Sequence, residues 1–228
     1  MDVVRVTAEP EPVTLDLART ALVGVDLQKA FLHPEGYFCR LGRIRAEEVR
    51  PLVDRCRRVI AALRPRVRQV VFLRMALSAP VLALRAFAPP VWLKSGTLRA
   101  LQEHPEWRDL LPLEGCWGAE IIEELRPEAQ DVVIPKCGYD GFHGTDLDLV
   151  LRAADVRWLV LVGIAGNVCV ESTLRRAFHL GYFPLLVGDA VGFLGPGGVE
   201  EATVFNVKTF FGWVTTVDAV TEAVRGAG

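Results

Sequence analysis

The sequence predicts a three-layer α/β/α fold of the Rossmann-like type, in which helices cover both faces of a six-stranded, mostly parallel sheet. Six short runs are almost continuously apolar, as expected of strands buried on both faces. Segments with the apolar spacing of helices separate these runs. Because an alternation of strands and helices is typical of parallel sheets, we expect one domain of this class over residues 1–228.

The predicted strands and helices follow one another along most of the chain. The strands are expected at 21–25, 69–75, 131–136, 158–164, 183–187 and 213–217. The helices are expected at 49–63, 145–151, 170–178, 200–208 and 218–225. Thr145 and Asp218 are the predicted N-terminal caps, and Gly181 is placed to end the third helix, which carries Phe178 on its apolar side.

Charge and composition exclude several classes of function. The 228 residues carry a net charge of −2, with 26 basic and 28 acidic side chains, so a basic surface for nucleic acid is not expected. No apolar run reaches the ~18 residues that span a bilayer, and no signal peptide is recognisable. The five cysteines form no C-x-x-C pair, which argues against a disulfide framework or a zinc cluster. We expect a cytoplasmic protein that acts on a small molecule.

Residues 76–118 interrupt the regular alternation. This stretch is rich in Pro, Leu and Trp and shows no clear strand or helix period. We interpret it as an excursion over the edge of the sheet, with a role as a lid, as a contact between subunits or as an ordinary packed loop.

Polar residues follow or end three of the predicted strands, where ligands bind in parallel sheets. Cys169 lies after the strand 158–164 and near the start of a helix, whose dipole favours a thiolate and whose N–H groups can bind an oxyanion. A small buried hydrophobic residue is the alternative for Cys169. Asp26 is a candidate general base or a turn residue, and Lys136 is a candidate oxyanion-stabilising cation or a solvated lysine at the sheet edge.

The remaining cysteines and histidines are weaker candidates. Cys56 belongs to an apolar helix stripe and Cys137 is interpreted as structural, while Cys39 and Cys116 lie in loops without an obvious partner. The histidines show no metal-ligand spacing, so no metal site is predicted. No nucleotide-binding glycine motif is present, so we predict no cofactor; His143 stays a distant alternative as a base.

Three motifs resemble the isochorismatase-like cysteine hydrolase superfamily. Asp26 stands in VDLQKAF, similar to the family segment D-x-Q-x-D-F, and Lys136 stands in PKCGYDGFHGTDL, similar to K-x(5)-F-x-x-T-x-L. Cys169 stands in GIAGNVCVEST, similar to G-x(5)-C-V-x-x-T. The resemblance covers about residues 18–220 and is strongest to the ureidoacrylate amidohydrolase branch, because HPEGY, NVCVESTLR and FNVKTFFGWV also match that branch.

The resemblance implies an Asp26–Lys136–Cys169 triad that hydrolyses amides through a thioester and releases ammonia. It also implies a cis peptide between Ile164 and Ala165, which would place the Ala165 N–H beside that of Cys169 in an oxyanion hole. Three further residues carried over from the family are Phe31 and Phe142, as walls of a small pocket, and Asn206, as a group that orients the substrate. Homodimers or homotetramers are the implied assemblies.

The sequence departs from the family pattern in three places. Ala30 stands where the family often has a second acid. The segment 74–78, RMALS, lacks the metal-binding Asp and His residues of nicotinamidase-type relatives, which disfavours metal-dependent nicotinamide hydrolysis. Residues 76–118 also differ from the ureidoacrylate enzymes.

These observations predict a metal-independent, cysteine-dependent amidohydrolase. Its substrate is expected to be a small ureido, carbamoyl or carboxamide compound, with a ureidoacrylate-like molecule favoured. Two alternatives are an isochorismatase-type vinyl-ether hydrolase, which needs no thiol, and a non-catalytic oligomeric scaffold with the same fold.

Overall fold

A six-stranded parallel sheet forms the centre of the computed structural model, which describes residues 3–83, 90 and 94–226. The strands of the chain are β1 Val3–Val6, β2 Val13–Asp16, β3 Thr20–Val25, β4 Gln69–Met75, β5 Val132–Lys136, β6 Trp158–Ile164, β7 Phe183–Gly192 and β8 Trp213–Thr215. The large sheet has the order β5-β4-β3-β6-β7-β8, and all neighbours run parallel. The predicted α/β class and parallel sheet are confirmed.

Helices pack on both faces of this sheet. They are α1 Lys29–Leu32, α2 Tyr37–Arg40, α3 Ala46–Leu63, α4 Ala79–Ala83, α5 Gly96–Glu103, α6 Leu147–Ala153, α7 Glu171–His179, α8 Val199–Asn206 and α9 Val217–Arg225. Two single π-helical turns, Gly166–Val170 and Val207–Phe211, adjoin α7 and α8. No helix in the described ranges is long and apolar enough to cross a membrane.

Two apolar cores lie on opposite sides of the sheet. Along β3, Leu22 belongs to one core while Val23 belongs to the other, because successive side chains of a strand point to opposite faces. The first core contains the buried faces of α3 and α9, and the second contains those of α6 and α7. The apolar runs predicted as doubly buried strands are buried for this reason.

An antiparallel hairpin of β1 and β2 was not predicted from the sequence. Val3 pairs with Asp16 and Val6 with Val13. Each strand has only four residues and alternates between exposed and buried positions. The alternating patterns V-x-V and V-x-L are the sequence features that could have predicted these two strands. The buried side chains of both strands belong to the first core.

Three local expectations are corrected by the structure. The cap of α9 is Thr216, whose hydroxyl accepts the Ala219 N–H at 3.2 Å, so β8 ends earlier than predicted and Asp218 lies within the first turn. Asp146 rather than Thr145 occupies the N-cap of α6, although the Thr145 hydroxyl accepts the Leu147 N–H at 3.3 Å. Phe178 is 44% exposed rather than buried.

The excursion at 76–118 contains more regular structure than its composition indicates. It includes α4, α5 and two 3-10 turns, Pro105–Leu110 and Trp117–Ala119. Leu77, Leu111 and Leu113 are buried in the first core. Parts of the stretch, 84–89 and 91–93, lie outside the described residues.

Candidate active site

The carboxyl ends of three strands bring Asp26, Lys136 and Cys169 together. Asp26 follows β3, Lys136 is the last residue of β5, and Cys169 lies in the π turn that follows β6. The Lys136 Nζ donates to Asp26 Oδ2 at 2.8 Å and to the Gly138 carbonyl at 3.1 Å. The Cys169 thiol lies close enough to both side chains for their charges to act on its pKa. All three residues are buried.

Asp26 is held by backbone groups of the neighbouring strand β4. Its own N–H donates to the Leu73 carbonyl at 2.9 Å, and its Oδ1 accepts the Met75 N–H at 3.0 Å. The backbone of Asp26 is left-handed, with a φ of 52°, a conformation that Asp tolerates better than most residues. Lys136 takes the other carboxylate oxygen, so both oxygens of Asp26 have donors.

Gln28 secures the segment that follows Asp26. Its side-chain oxygen accepts the Met75 N–H at 2.8 Å. Its amide nitrogen donates to the carbonyls of Met75 at 2.8 Å and Ala119 at 2.9 Å. Because Gln28 is fully buried, these bonds fix the turn after β3 against both β4 and the excursion.

A hydroxyl connects the Cys169 turn to the loop after β5. Thr173 Oγ1 donates to the Cys169 carbonyl at 2.7 Å and accepts the Gly141 N–H at 2.9 Å. Thr173 is fully buried, so this link ties the start of α7 to the loop that begins at Lys136. π-Helical turns of the kind that holds Cys169 are frequent at functional sites.

Burial governs the protonation of the thiol. It raises the pKa of Cys169 to about 12; the Lys136 ammonium lowers this pKa and the Asp26 carboxylate raises it. Desolvation is the largest of these effects, so the site favours the thiol over the thiolate that the position near a helix start was expected to favour. Burial also opposes the charge of Lys136, but Asp26 and Cys169 outweigh burial, so the pKa of Lys136 is raised and its ammonium is retained.

Asp26 and Cys169 line a cavity of about 180 Å³. Ala165, which follows a cis peptide at Ile164–Ala165, also lines it. This is the cis bond that the resemblance implied. Phe31 contributes an apolar wall, packed edge-on against Phe38 with ring centroids 4.7 Å apart.

Two predicted substrate-binding residues do not reach this cavity. Phe142 is a residue of the second core, stacked on Tyr182 with ring centroids 5.8 Å apart. Asn206 ends α8 and is half-buried there. Neither lines the cavity, because the loop after β5 turns Phe142 toward the second core and α8 lies outside the cavity wall.

Several cavity residues were missed in the sequence. Tyr139, three residues after Lys136, lines the cavity, and burial raises the pKa of its hydroxyl. Tyr37 on α2 and Thr97 on α5 also line it, and their buried hydroxyls are 3.1 Å apart. The excursion thus builds part of the wall. Spacing alone gives no signal for this contact, because the two residues are 60 positions apart.

The histidines take no part in the candidate site. His33 packs edge-on against Trp117, and His104 stacks on Trp107. His143 is exposed and does not line the cavity. Within the ranges that the structure describes, no three His, Cys, Asp or Glu side chains form a group suited to holding a metal ion.

The sequence profile of the isochorismatase domain matches residues 20–219. The chain belongs to the isochorismatase family. Its curated relatives include ureidoacrylate amidohydrolase RutB from Agrobacterium fabrum, which is 40% identical over 92% of each chain. The protein of that name from Variovorax paradoxus is 41% identical over 92% of this chain and 83% of its own length.

Solved structures of the isochorismatase family and its neighbours share this fold. A cysteine hydrolase from Pseudomonas syringae pv. phaseolicola superposes with a TM-score of 0.73 and 27% identity, over 99% of this chain and 98% of that one. An N-carbamoylsarcosine amidase from Thermoplasma acidophilum superposes with a TM-score of 0.66 and 28% identity, over 88% of this chain and 97% of that one. The superfamily resemblance seen in the three motifs is confirmed.

Proposed function

We propose that this member of the isochorismatase family is a metal-independent, cysteine-dependent amidohydrolase. It cleaves the C–N bond of a small ureido, carbamoyl or carboxamide substrate through a thioester and releases ammonia. The observation that carries the proposal is the buried ion pair of Lys136 and Asp26 with the Cys169 thiol beside it, where Asp26 and Cys169 line a cavity.

Asp26 is the general base for the first step. A thiol with a pKa of about 12 supplies almost no free thiolate at neutral pH, so the proton must leave as the sulfur attacks. The Asp26 carboxylate accepts this proton while the Cys169 Sγ forms a bond to the carbonyl carbon. The Lys136 ammonium stabilises the negative charge that develops, and the N–H groups of Ala165 and Cys169 bind the oxyanion.

The tetrahedral intermediate then collapses with loss of ammonia. The C–N bond breaks, and the protonated Asp26 returns its proton to the leaving nitrogen. A thioester remains on Cys169 when the substrate is a carboxamide, and the corresponding S-thiocarbamate when it is a ureido compound. Asp26 next takes a proton from water, the resulting hydroxide attacks the carbonyl carbon, and the C–S bond breaks. The sulfur takes back the proton held by Asp26, and the carboxylic or carbamic acid product leaves.

A ureidoacrylate-like substrate is favoured by the relatives. The ureidoacrylate amidohydrolases match this chain over nearly its whole length at about 40% identity. The cavity of about 180 Å³ admits a small molecule, and its apolar wall near Phe31 suits a short unsaturated chain. The carbamoyl end would meet Cys169.

Ammonia release from ureidoacrylate by Cys169→Ala tests this proposal. We expect the variant to lose turnover by at least about a thousandfold, since the step that forms the thioester is gone. Its thermal melt should stay close to that of the wild type. Ammonia release retained by the alanine variant would overturn the role of Cys169 as the nucleophile. Hydrolysis of a vinyl ether such as isochorismate by the same variant would favour the thiol-independent alternative.

A further inference from the structure

We infer that the active-site cavity selects substrates with a carboxylate at the end opposite the scissile C–N bond, and that Arg43, Lys94 and Arg99 bind that carboxylate. The inference rests on the proposed function and extends it from the reacting end of the substrate to its far end. All three cations line the same cavity as Asp26 and Cys169.

The three cations occupy the outer part of the cavity. Asp26 and Cys169 are buried, whereas the side chains of Arg43, Lys94 and Arg99 are exposed. A substrate whose carbonyl reaches Cys169 therefore extends toward the cations. Arginine and lysine are the side chains that bind carboxylates with charge-assisted hydrogen bonds.

The charge of the cavity is unbalanced. Asp26 is its one lining carboxylate among the described residues, and the ammonium of Lys136 already pairs with it. None of Arg43, Lys94 and Arg99 forms an ion pair with a carboxylate of the described part of the chain. The neighbouring acids Glu47 and Glu48 are engaged with Arg45. Three positive charges are thus left to attract an anion.

The cations are held on two segments that are joined to one another. Arg43 follows α2. Lys94 lies just before the start of α5, and Arg99 lies within that helix. The Tyr37–Thr97 hydrogen bond of 3.1 Å links these helices, and Ser95 Oγ caps α5 by accepting the Thr97 N–H at 3.3 Å. This linkage joins the two segments that carry the positive groups before a substrate arrives.

The field of Arg43 extends into the cavity. Burial raises the pKa of Tyr139, and the positive charges of Lys136 and Arg43 act against that rise. Tyr139 is half-buried and lines the cavity. An anion beside Tyr139 is therefore attracted by the positive charge of Arg43 as well as by that of Lys136.

The test compares ureidoacrylate with its neutral methyl ester. The two compounds differ in the charge at the far end of the molecule. Both release ammonia from the same ureido end, so one assay follows both reactions. The wild type should have a KM for the acid at least about tenfold below that for the ester. Arg43→Met, Lys94→Met and Arg99→Met should raise the KM for the acid and leave that for the ester within about twofold.

Arg50→Met is the matched control. Arg50 is an arginine of α3 whose side chain is 87% exposed and lies outside the active-site cavity. Its removal changes the net charge of the protein equally, so it should leave the preference for the acid unchanged. Equal KM values for the acid and the ester in the wild type would overturn the inference. So would a preference for the acid that persists in the variant that combines Arg43→Met, Lys94→Met and Arg99→Met.

A binding measurement separates this inference from the proposed reaction. Calorimetric titration of Cys169→Ala with both compounds requires no turnover. Anion selection is supported if Cys169→Ala binds the acid more tightly than the ester and if this difference is lost on adding Arg43→Met and Arg99→Met. This holds even when the wild type releases no ammonia, in which case the proposed reaction alone fails. Equal binding of the two compounds, or binding of neither, overturns anion selection.

Discussion

Lys136 Nζ lies 2.8 Å from Asp26 Oδ2, and the exposed fractions of the two side chains are 0% and 3%. Charges this deeply buried are stable only with a partner, because each loses its hydration. Asp26 follows β3 and Lys136 ends β5, and β4 lies between these two strands, so the pair connects the ends of two strands that are not neighbours. Its removal should affect both stability and catalysis.

Asp26→Asn should destabilise the fold as well as abolish turnover. The variant leaves the Lys136 ammonium buried without its carboxylate, which costs about 3–5 kcal/mol. Urea denaturation measures this loss. Asp26→Asn combined with Lys136→Met removes both charges and should recover part of the stability without recovering activity. An Asp26→Asn protein as stable as the wild type would contradict the account of the pair.

Cys169 should be alkylated slowly at neutral pH. With its pKa raised to about 12, the resting thiol holds less thiolate than a free cysteine, so iodoacetamide should react more slowly and the rate should rise with pH. The folded state also holds this proton more tightly than the unfolded state. The contribution of this proton to the free energy of unfolding is complete below about pH 8.5, the pKa of an unfolded cysteine. It is lost as the pH rises toward 12.

Peptide mass mapping measures the alkylation rate at Cys169 separately from those at the partly exposed Cys39, Cys116 and Cys137. Glutathione serves as the free-thiol control. A rate at pH 7 above that of glutathione would show a preformed thiolate and would remove the concerted proton transfer from the mechanism.

Tyr37→Phe should loosen the wall that the excursion builds. The substitution leaves the buried Thr97 hydroxyl without its side-chain partner, which costs about 1–3 kcal/mol. We expect a lower urea midpoint and a raised KM with kcat less affected. Tyr37→Phe combined with Thr97→Val removes both polar groups and should restore part of the stability. Additive losses in the double variant would argue against a direct interaction.

Phe31 and Phe142 should respond differently to substitution by alanine. Phe142→Ala empties a core position and should cost about 3–5 kcal/mol of stability, with KM unchanged at temperatures where the variant is folded. Phe31→Ala removes part of the cavity wall, so it should raise KM as well. A raised KM in Phe142→Ala would instead support the role that the family resemblance implied for this residue.

Most of the sheet could be predicted because its strands are buried on both faces. Runs such as those of β4 and β6 are almost entirely apolar, and their predicted bounds agree with the structure. The β1–β2 hairpin was missed because each of its strands buries one face only and contributes just two buried side chains. The longer β7 was missed because Gly188 and Asp189 interrupt its apolar run.

The candidate site could be predicted only where a side chain follows a strand. Asp26 and Cys169 have positions that parallel-sheet topology brings to one edge, and Lys136 ends a strand there. The outer cavity residues could not be predicted in this way. Arg43 and Arg99 lie on separate segments whose approach depends on the Tyr37–Thr97 contact, which no local pattern encodes. The thiol pKa also required the structure, since it depends on burial.

The most direct test of the mechanism is mass spectrometry of enzyme quenched in acid during turnover of ureidoacrylate. We predict a covalent adduct of the substrate's carbonyl group on the peptide that contains Cys169, absent from Cys169→Ala and lost when the substrate is exhausted. Rapid turnover with no adduct on that peptide, together with ammonia release by the alanine variant, would contradict nucleophilic catalysis by Cys169.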